Sequence, residues 1–309
     1  MRKTLVVDEA SADETLAAVV RTAMDGLPWS KARALVRRGK VKVDGVLAED
    51  PAVRVSAGQR VEIDPEGRRR RRGVLDREAI VFLDAHVAVV NKPPGILSVP
   101  YAAGDKDTLV DQTFAALKRA KPSQRVPLGV VQRLDKDTSG LIVFARNLAA
   151  KRALAQQLRD RTMTRRYVAI VHGEAESRRH ESIFIRNRGD GLRGSWGVFR
   201  RPKSKKPPGD AKRAITQVRH LESLKGASLV ECRLKTGRQH QIRIHLSEAG
   251  HPLVGERVYI RDFEGDQIDA PRIMLHAQTL GFEHPSTGER VELASELPDD
   301  LRAVLERLR

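Results

Sequence analysis

The sequence holds a single cysteine, Cys232, so no internal disulfide can form. In "SLVECRLKTG" that residue shares strand parity with Val230 and Leu234, which reads as core packing and gives it no chemistry. No apolar run approaches the roughly 20 residues of a spanning helix, and no N-terminal apolar segment resembles a signal peptide. A soluble, cytoplasmic protein with no membrane partner is expected. Metal-ligand spacing is also missing. His240 and His245 would fall on opposite faces of a strand and about 140° apart on a helix, and His276 and His284 have no carboxylate or cysteine pattern around them. No metal is expected. Acid is scarce against base: Lys and Arg total 57, Asp and Glu 40, a net charge of +17. That excess points to a polyanionic partner, nucleic acid ahead of a membrane surface. The 309 residues, 40% of them apolar, can fill one large domain plus a small one.

The charge is unevenly spread, and this marks the organisation. Residues 1–64 carry 11 basic and 10 acidic side chains, yet Lys31, Arg33, Arg37, Arg38, Lys40 and Lys42 fall in one stretch without an acid. In "SKARALVRRGKVKVDGV" the spacing predicts a helix capped by Ser30, with Ala34 and Leu35 facing inward and Gly39 ending it. A strand follows, and Asp44-Gly45 is a hairpin turn. Arg68 to Arg72 are five consecutive arginines between Gly67 and Gly73; like charges at that density repel, so 67–73 reads as a linker. The domains expected are 1–66 and 74–309.

Beyond the linker, Ile80 to Leu83 and Val87 to Val90 read as strands joined by a turn at Asp84 to His86, with Pro93-Pro94-Gly95 stopping the sheet. Helical spacing covers 111–120 and, more strongly, the stretch from 148, where Leu148, Leu154 and Leu158 recur. Strands and helices without regular βαβ alternation indicate α+β, with a mainly antiparallel central sheet and flanking helices. From Arg178 to Arg213 there are 12 basic and 3 acidic residues with frequent Gly, Pro and Ser, which reads as a basic loop over the substrate.

Three constellations carry candidate chemistry. "GVVQRLDKDTSGLIVFAR" sets Asp135 and Asp137 on a loop between two buried strands, where an aspartate can cap local N–H groups or act as a carboxylate held on a turn. "TMTRRYVAIVHG" places Tyr167 beside two arginines, in parity with Ala169 and Val171; alone it could be core. In "LKTGRQHQIRIHLSEAGHPLVGERVYI" a helix begins near His240 and closes at Gly250, so Arg243 lies in the first turn. A cation there opposes the helix dipole, and a buried anion nearby would account for it, with Asp135 a reasonable partner.

Residues from about 14 to 64 resemble the alpha-L RNA-binding domain first seen in a ribosomal protein of the small subunit. That resemblance implies phosphate contacts for Lys31, Arg33, Arg37, Arg38 and Lys40. The segments "NKPPGILSVP", "QRLDKDTSGLIVFAR", "RRYVAIVHG", "TGRQHQIRIHL", "GHPLVGERVY" and "RIMLHAQTLGFEHP" resemble, in order and spacing, the RluA-type pseudouridine synthases. This implies conversion of uridine to pseudouridine in structured RNA, without cofactor or metal, on a mixed α+β fold. It implies that Asp135 is the catalytic aspartate, Tyr167 the active-site tyrosine, Arg243 the arginine paired with the aspartate, and Arg133 the arginine that helps displace the target nucleotide. Gln132 stands where the family usually has histidine, and altered contacts to flipped RNA are expected. Two other readings compete: a binding protein that kept the fold and lost catalysis, and an RNA N-glycosidase, which would leave free uracil. Ribosomal RNA is favoured over transfer RNA as partner, and a monomer is expected.

Overall fold

The computed structural model describes residues 2–48, 50–66, 75–101, 105–120, 127–199 and 206–309. The arginine segment expected as a linker lies outside the described residues. The chain divides into two compact units, Met1–Gly73 and Val74–Arg309.

The first unit contains β1 (Lys3–Val6), α1 (Leu16–Ala23), α2 (Trp29–Arg37), β2 (Val41–Val43), β3 (Val46–Ala48) and β4 (Arg60–Ile63), with sheet order β1-β4-β2-β3. The expected cap is corrected here. α2 starts ahead of Ser30, with Pro28 at the cap position and no side-chain cap; the Pro28 carbonyl accepts from the N–H groups of Lys31 and Ala32 at 2.9 and 3.0 Å. Proline's ring presets the backbone for helix entry, which moves Ser30 into the first turn. The inward face is also corrected. Ala32 and Val36 are fully buried, one helical repeat apart, while Ala34 and Leu35 are half-buried. Gly39, at φ 65°, ends the helix, and Asp44 and Gly45 both take positive φ, the geometry of a two-residue hairpin.

The second unit is built on β5 (Ile80–Leu83), β6 (Val87–Lys92), β7 (Gly129–Val130), β8 (Ser139–Ala145), β9 (Thr164–His172), β10 (Arg178–Ile185), β11 (Gly194–Ser195), β12 (Lys212–Leu224), β13 (Ala227–Leu234), β14 (Leu275–Glu283) and β15 (Arg290–Ala294). They form one sheet of order β11-β10-β12-β13-β9-β14-β8-β6-β5, with β15 beside β14 and β7 beside β8. Among these pairings β14 with β8 is parallel and the others are antiparallel. The sheet is therefore mixed and mainly antiparallel, and the fold is α+β.

Strand parity sorts the core. Tyr167, Ala169 and Val171 face one side with Val90, Ile142 and Phe144, under Ile242 and Leu246 of α5 (Gln241–Glu248). Val168 and Ile170 face the other side, toward Leu301 and Leu305 of α6 (Asp299–Leu308). On that second side α4 (Leu148–Asp160) buries Ala150 and Leu154 against Leu141 and Val143, whereas Leu148, expected inward, is 61% exposed at the first helical position. The helix expected at 111–120 is α3 (Leu109–Ala120). The basic stretch 178–213 is not simply a loop. Arg178 to Phe184 pair antiparallel with Val218 to Lys212, so it opens and closes as sheet, with residues 200–205 outside the described residues. Among the described residues no helix is long and apolar enough to cross a membrane.

Candidate active site

Asp135 sits on the eight-residue turn between β7 and β8, and the turn is fixed from three directions. Ser98 Oγ donates to the Leu134 carbonyl at 2.8 Å and accepts from the Leu134 N–H at 3.0 Å. The N–H of Gly95 and the ammonium of Lys92 both reach the Lys136 carbonyl, at 2.9 and 2.7 Å. Below, Arg272 Nη1 donates to the Asp137 carbonyl at 2.9 Å while the same guanidinium grips Asp300 of α6 at 2.6 and 2.8 Å. Gly140, at φ 111°, is required where β8 meets β14: a Cβ there would lie 2.3 Å from the Ala277 carbonyl oxygen. Turn chemistry predicts Asp137 as a local cap. Among the described residues its carboxylate accepts no hydrogen bond, and its carbonyl is the part that is held.

Arg243 projects from the first turn of α5 toward Asp135, Nη1 to Oδ2 being 3.9 Å. Its tight partner is another residue, which sequence reasoning missed. Arg243 Nε and Nη2 donate to the two oxygens of Glu256 at 2.8 and 2.7 Å, and the Glu256 side chain is fully buried. Glu256 Oε1 also accepts from the N–H groups of Arg257, Val258 and Tyr259 at 3.0, 2.9 and 3.3 Å. Burial alone would raise the Glu256 carboxyl, but the guanidinium and the backbone donors outweigh it and hold it below the ordinary range. Burial would likewise lower Arg243. The charges of Glu256 and, further off, Asp135 carry it well above its ordinary value. The cation at a helix N-terminus is thus explained by an anion, as expected, but Glu256 supplies most of it.

Tyr167 is buried on β9 with its ring on the face that carries Leu134 and Ile242. Burial is the main cause that pushes its phenol up to about 12, and the Asp135 charge adds to it while Arg165 opposes. The hydroxyl is therefore neutral at physiological pH. Arg165, two residues earlier on the same strand face, has a buried Nε with no partner, and burial lowers its pKa. Tyr259 packs under the Arg243 guanidinium at 5.3 Å and shares a 2.8 Å hydrogen bond with His240 Nδ1. His245 is taken by Thr216 and Ser182 at 2.8 and 3.1 Å. Cys232 is buried beside Tyr167 on the neighbouring strand, as its parity suggests, and burial lifts its thiol to about 12.

Asp135, Tyr167 and Arg243 are thus brought to one place: Asp135 carries a charge felt by both of the others, and its side chain stays 24% exposed. Arg133, on the same turn, is exposed and makes no ion pair among the described residues; Gln132 beside it is half-buried. In the first unit Lys31, Arg33 and Arg38 are exposed while Arg37 and Lys40 are half-buried. They belong to the other compact unit.

This sheet order and its helices define the pseudouridine synthase fold. A family model described as RNA pseudouridylate synthase matches residues 86–248, and the chain belongs to that family. An S4 domain model matches residues 26–61. The chain is 36% identical over 274 residues to "Ribosomal large subunit pseudouridine synthase D" of Zymomonas mobilis, covering 85% of this chain and 84% of that one. It is 30% identical over 324 residues to "Ribosomal large subunit pseudouridine synthase C" of Escherichia coli O157:H7, covering 99% and 97%. Among solved structures, "Human RNA Pseudouridylate Synthase Domain Containing 4" shares the fold at a TM-score of 0.62 and 23% identity, over 75% of this chain and 93% of that one.

Proposed function

We propose that the protein isomerises specific uridines in structured RNA, with ribosomal RNA as substrate, through Asp135 and without a cofactor. The observation that carries this is the meeting of a partly open carboxylate, a guanidinium already paired with Glu256 and a neutral tyrosine on one buried face. The two large-subunit synthase names among the relatives support the choice of RNA.

The reaction is redox-neutral. The bond between uracil N1 and ribose C1′ breaks, the freed base turns, C5 joins C1′, the C5 proton leaves and N1 regains one. Asp135 either attacks C1′ as a nucleophile or removes a proton from C2′ to give a glycal. Both routes need the ionised carboxylate, and Arg243 lies 3.9 Å from it. Tyr167 stacks on the uracil and takes part in removing the C5 proton. The target base must leave its helix or loop to reach this pocket, so Arg133, exposed beside the nucleophile, braces the gap, with Gln132 contacting the displaced RNA. Residues 1–66 act as an RNA-binding domain, in which Lys31, Arg33, Arg37, Arg38 and Lys40 contact phosphates.

The test is tritium release from C5-labelled uridine in ribosomal RNA. Asp135→Asn keeps size and removes the charge; it should release no tritium while binding RNA as the wild type does. Asp137→Asn should stay close to wild type, since only the Asp137 main chain is engaged. Turnover in Asp135→Asn, or free uracil as product, would overturn the assignment.

A further inference from the structure

The first unit presents one aromatic side chain with an unusual escort. Trp29, the first residue of α2, is 45% exposed. A lone exposed apolar residue is ordinary on a protein surface. What sets Trp29 apart is its company: the guanidinium carbon of Arg21 lies 5.2 Å from the ring centroid and that of Arg33 5.6 Å. Among the described residues neither arginine pairs with a carboxylate, and the acid nearest to Trp29 in sequence, Asp25, is taken by Lys3 at 2.9 Å. Two cations thus share one aromatic ring with no counter-anion. Attraction to the ring quadrupole holds them, but each still carries a full positive charge.

A ligand that matches this cluster has to be aromatic and anionic at once, which is the description of a nucleotide. We infer that Trp29, Arg21 and Arg33 form a stacking site for one unpaired base of the bound RNA. Indole and guanidinium planes both stack on bases regardless of base identity. A base inside a duplex has both faces occupied by its neighbours, so only a loop, a bulge or a strand end can deliver one. The adjoining phosphate has a place as well. The N–H groups of Trp29 and Ser30 open the helix with no acceptor among the described residues, and Pro28 provides no side-chain cap. The site adds to the phosphate contacts assigned to Lys31, Arg37, Arg38 and Lys40 and draws Arg33 from the same set: those contacts follow the backbone charge, whereas Trp29 selects RNA in which a base is free. The inference rests on the reading that residues 1–66 bind RNA and is independent of the chemistry at Asp135.

The chain contains two tryptophans, so Trp196→Phe leaves Trp29 as the sole indole and permits a fluorescence titration of the full-length protein. Two probes are used, an RNA hairpin with a seven-nucleotide loop and a fully paired RNA duplex of equal charge. The hairpin should quench Trp29 and the duplex should not. Trp29→Ala should weaken hairpin binding about tenfold, leave duplex binding unchanged, and leave the slope of log affinity against log salt unchanged. Trp29→Phe should keep most of the hairpin affinity. Changing Arg21 and Arg33 to Gln should instead flatten the salt slope, since phosphate neutralisation releases counterions. Because Trp29 is exposed, the melting temperature should not move in Trp29→Ala. The site is overturned if Trp29→Ala binds the hairpin as the parent does, or weakens hairpin and duplex alike. If deletion of residues 1–66 leaves affinity for both probes intact, the RNA-binding reading of that unit falls and this site with it. An inactive enzyme whose Trp29 is still quenched by the hairpin refutes the catalytic reading and upholds the site.

Discussion

Glu256→Gln is the substitution that most sharply separates holding the site from doing its chemistry. Oε1 of Glu256 accepts from Arg243 Nη2 and three backbone N–H groups, and Oε2 accepts from Arg243 Nε. A glutamine has one acceptor oxygen. Four donors converge on the Oε1 position, so the oxygen stays there and the new amide group meets Arg243 Nε, donor against donor. The guanidinium is then buried with one good bond fewer and without its balancing charge. Breaking a buried pair in this way costs about 3 to 5 kcal/mol. Asp135, 3.9 Å away, can take over part of the role, which places the expected loss near about 3 kcal/mol. For a unit the size of Val74–Arg309, at roughly 2 to 4 °C per kcal/mol, the melting temperature falls by about 6 to 12 °C. Arg243 also swings toward Asp135 and ties up the carboxylate oxygens, so tritium release in a single turnover slows even below the new melting point. Asp135→Asn is the opposite case: among the described residues no donor grips its carboxylate, so it should melt within about 1 kcal/mol of wild type and be inactive. Calorimetry and single-turnover release on the two variants decide the matter. A Glu256→Gln enzyme with wild-type melting and rate, or an Asp135→Asn enzyme that unfolds early, would refute this division.

Deleting residues 1–66 removes a nearly neutral unit with one basic face, so RNA affinity should fall and the slope of log affinity against log salt should flatten by about 0.7 to 0.9 for each phosphate no longer neutralised; an unchanged slope removes the RNA-contact role of Lys31 to Lys40. Stability should also depend on mild acid. Burial depresses His245 and His276 to about 4 each, so as pH falls from about 6.5 to about 4 the unfolded chain takes up protons that the folded chain refuses, and stability is lost across that window. The slope is at most about 1.4 kcal/mol per pH unit for each histidine, offset in part by Glu248, which burial raises. His245→Asn should flatten the melting temperature against pH between about 6.5 and 4; an unaltered profile would show that His245 does not carry the effect.

The parts of the site that are legible in the sequence are those whose signal is local. Unbroken apolar runs on both sides of Asp135, Val130-Val131 and Leu141-Ile142-Val143-Phe144, mark the flanking strands, and parity along β9 places Tyr167 with Ala169 and Val171, as observed. The helix of Arg243 and its glycine closure are legible for the same reason. Glu256 is not. An acid between Gly255 and Arg257 looks like a solvated turn, and it is buried because the chain folds back to wrap three N–H groups around its carboxylate while Arg243 arrives from 13 residues upstream. Arg272 is hidden in the same way: its partners Asp137, Ser139 and Asp300 come from far apart in the chain. The basic stretch after Arg178 misleads for the complementary reason. Charge suggests a loop, but Ile183-Phe184-Ile185 are β-branched and aromatic and the segment finds its partner in β12, so tertiary pairing outweighs composition.

The missed glutamate changes what Arg243 does. Had Arg243 formed its bidentate pair with Asp135, both carboxylate oxygens would sit in strong charge-assisted hydrogen bonds, and an attack on C1′ or a proton transfer from C2′ would first have to break them. Glu256 occupies the fork instead. Its two oxygens and the three backbone donors hold the guanidinium in place, and Arg243 turns only an edge toward Asp135, at 3.9 Å. At that range hydrogen bonding, which needs an approach within about 3 Å, is absent. Among the described residues both Asp135 carboxylate oxygens are left free of hydrogen bonds, which is what either proposed route to pseudouridine requires. The scaffold absorbs the cost of burying that arginine through Glu256, so Asp135, the proposed reactive carboxylate, does not have to.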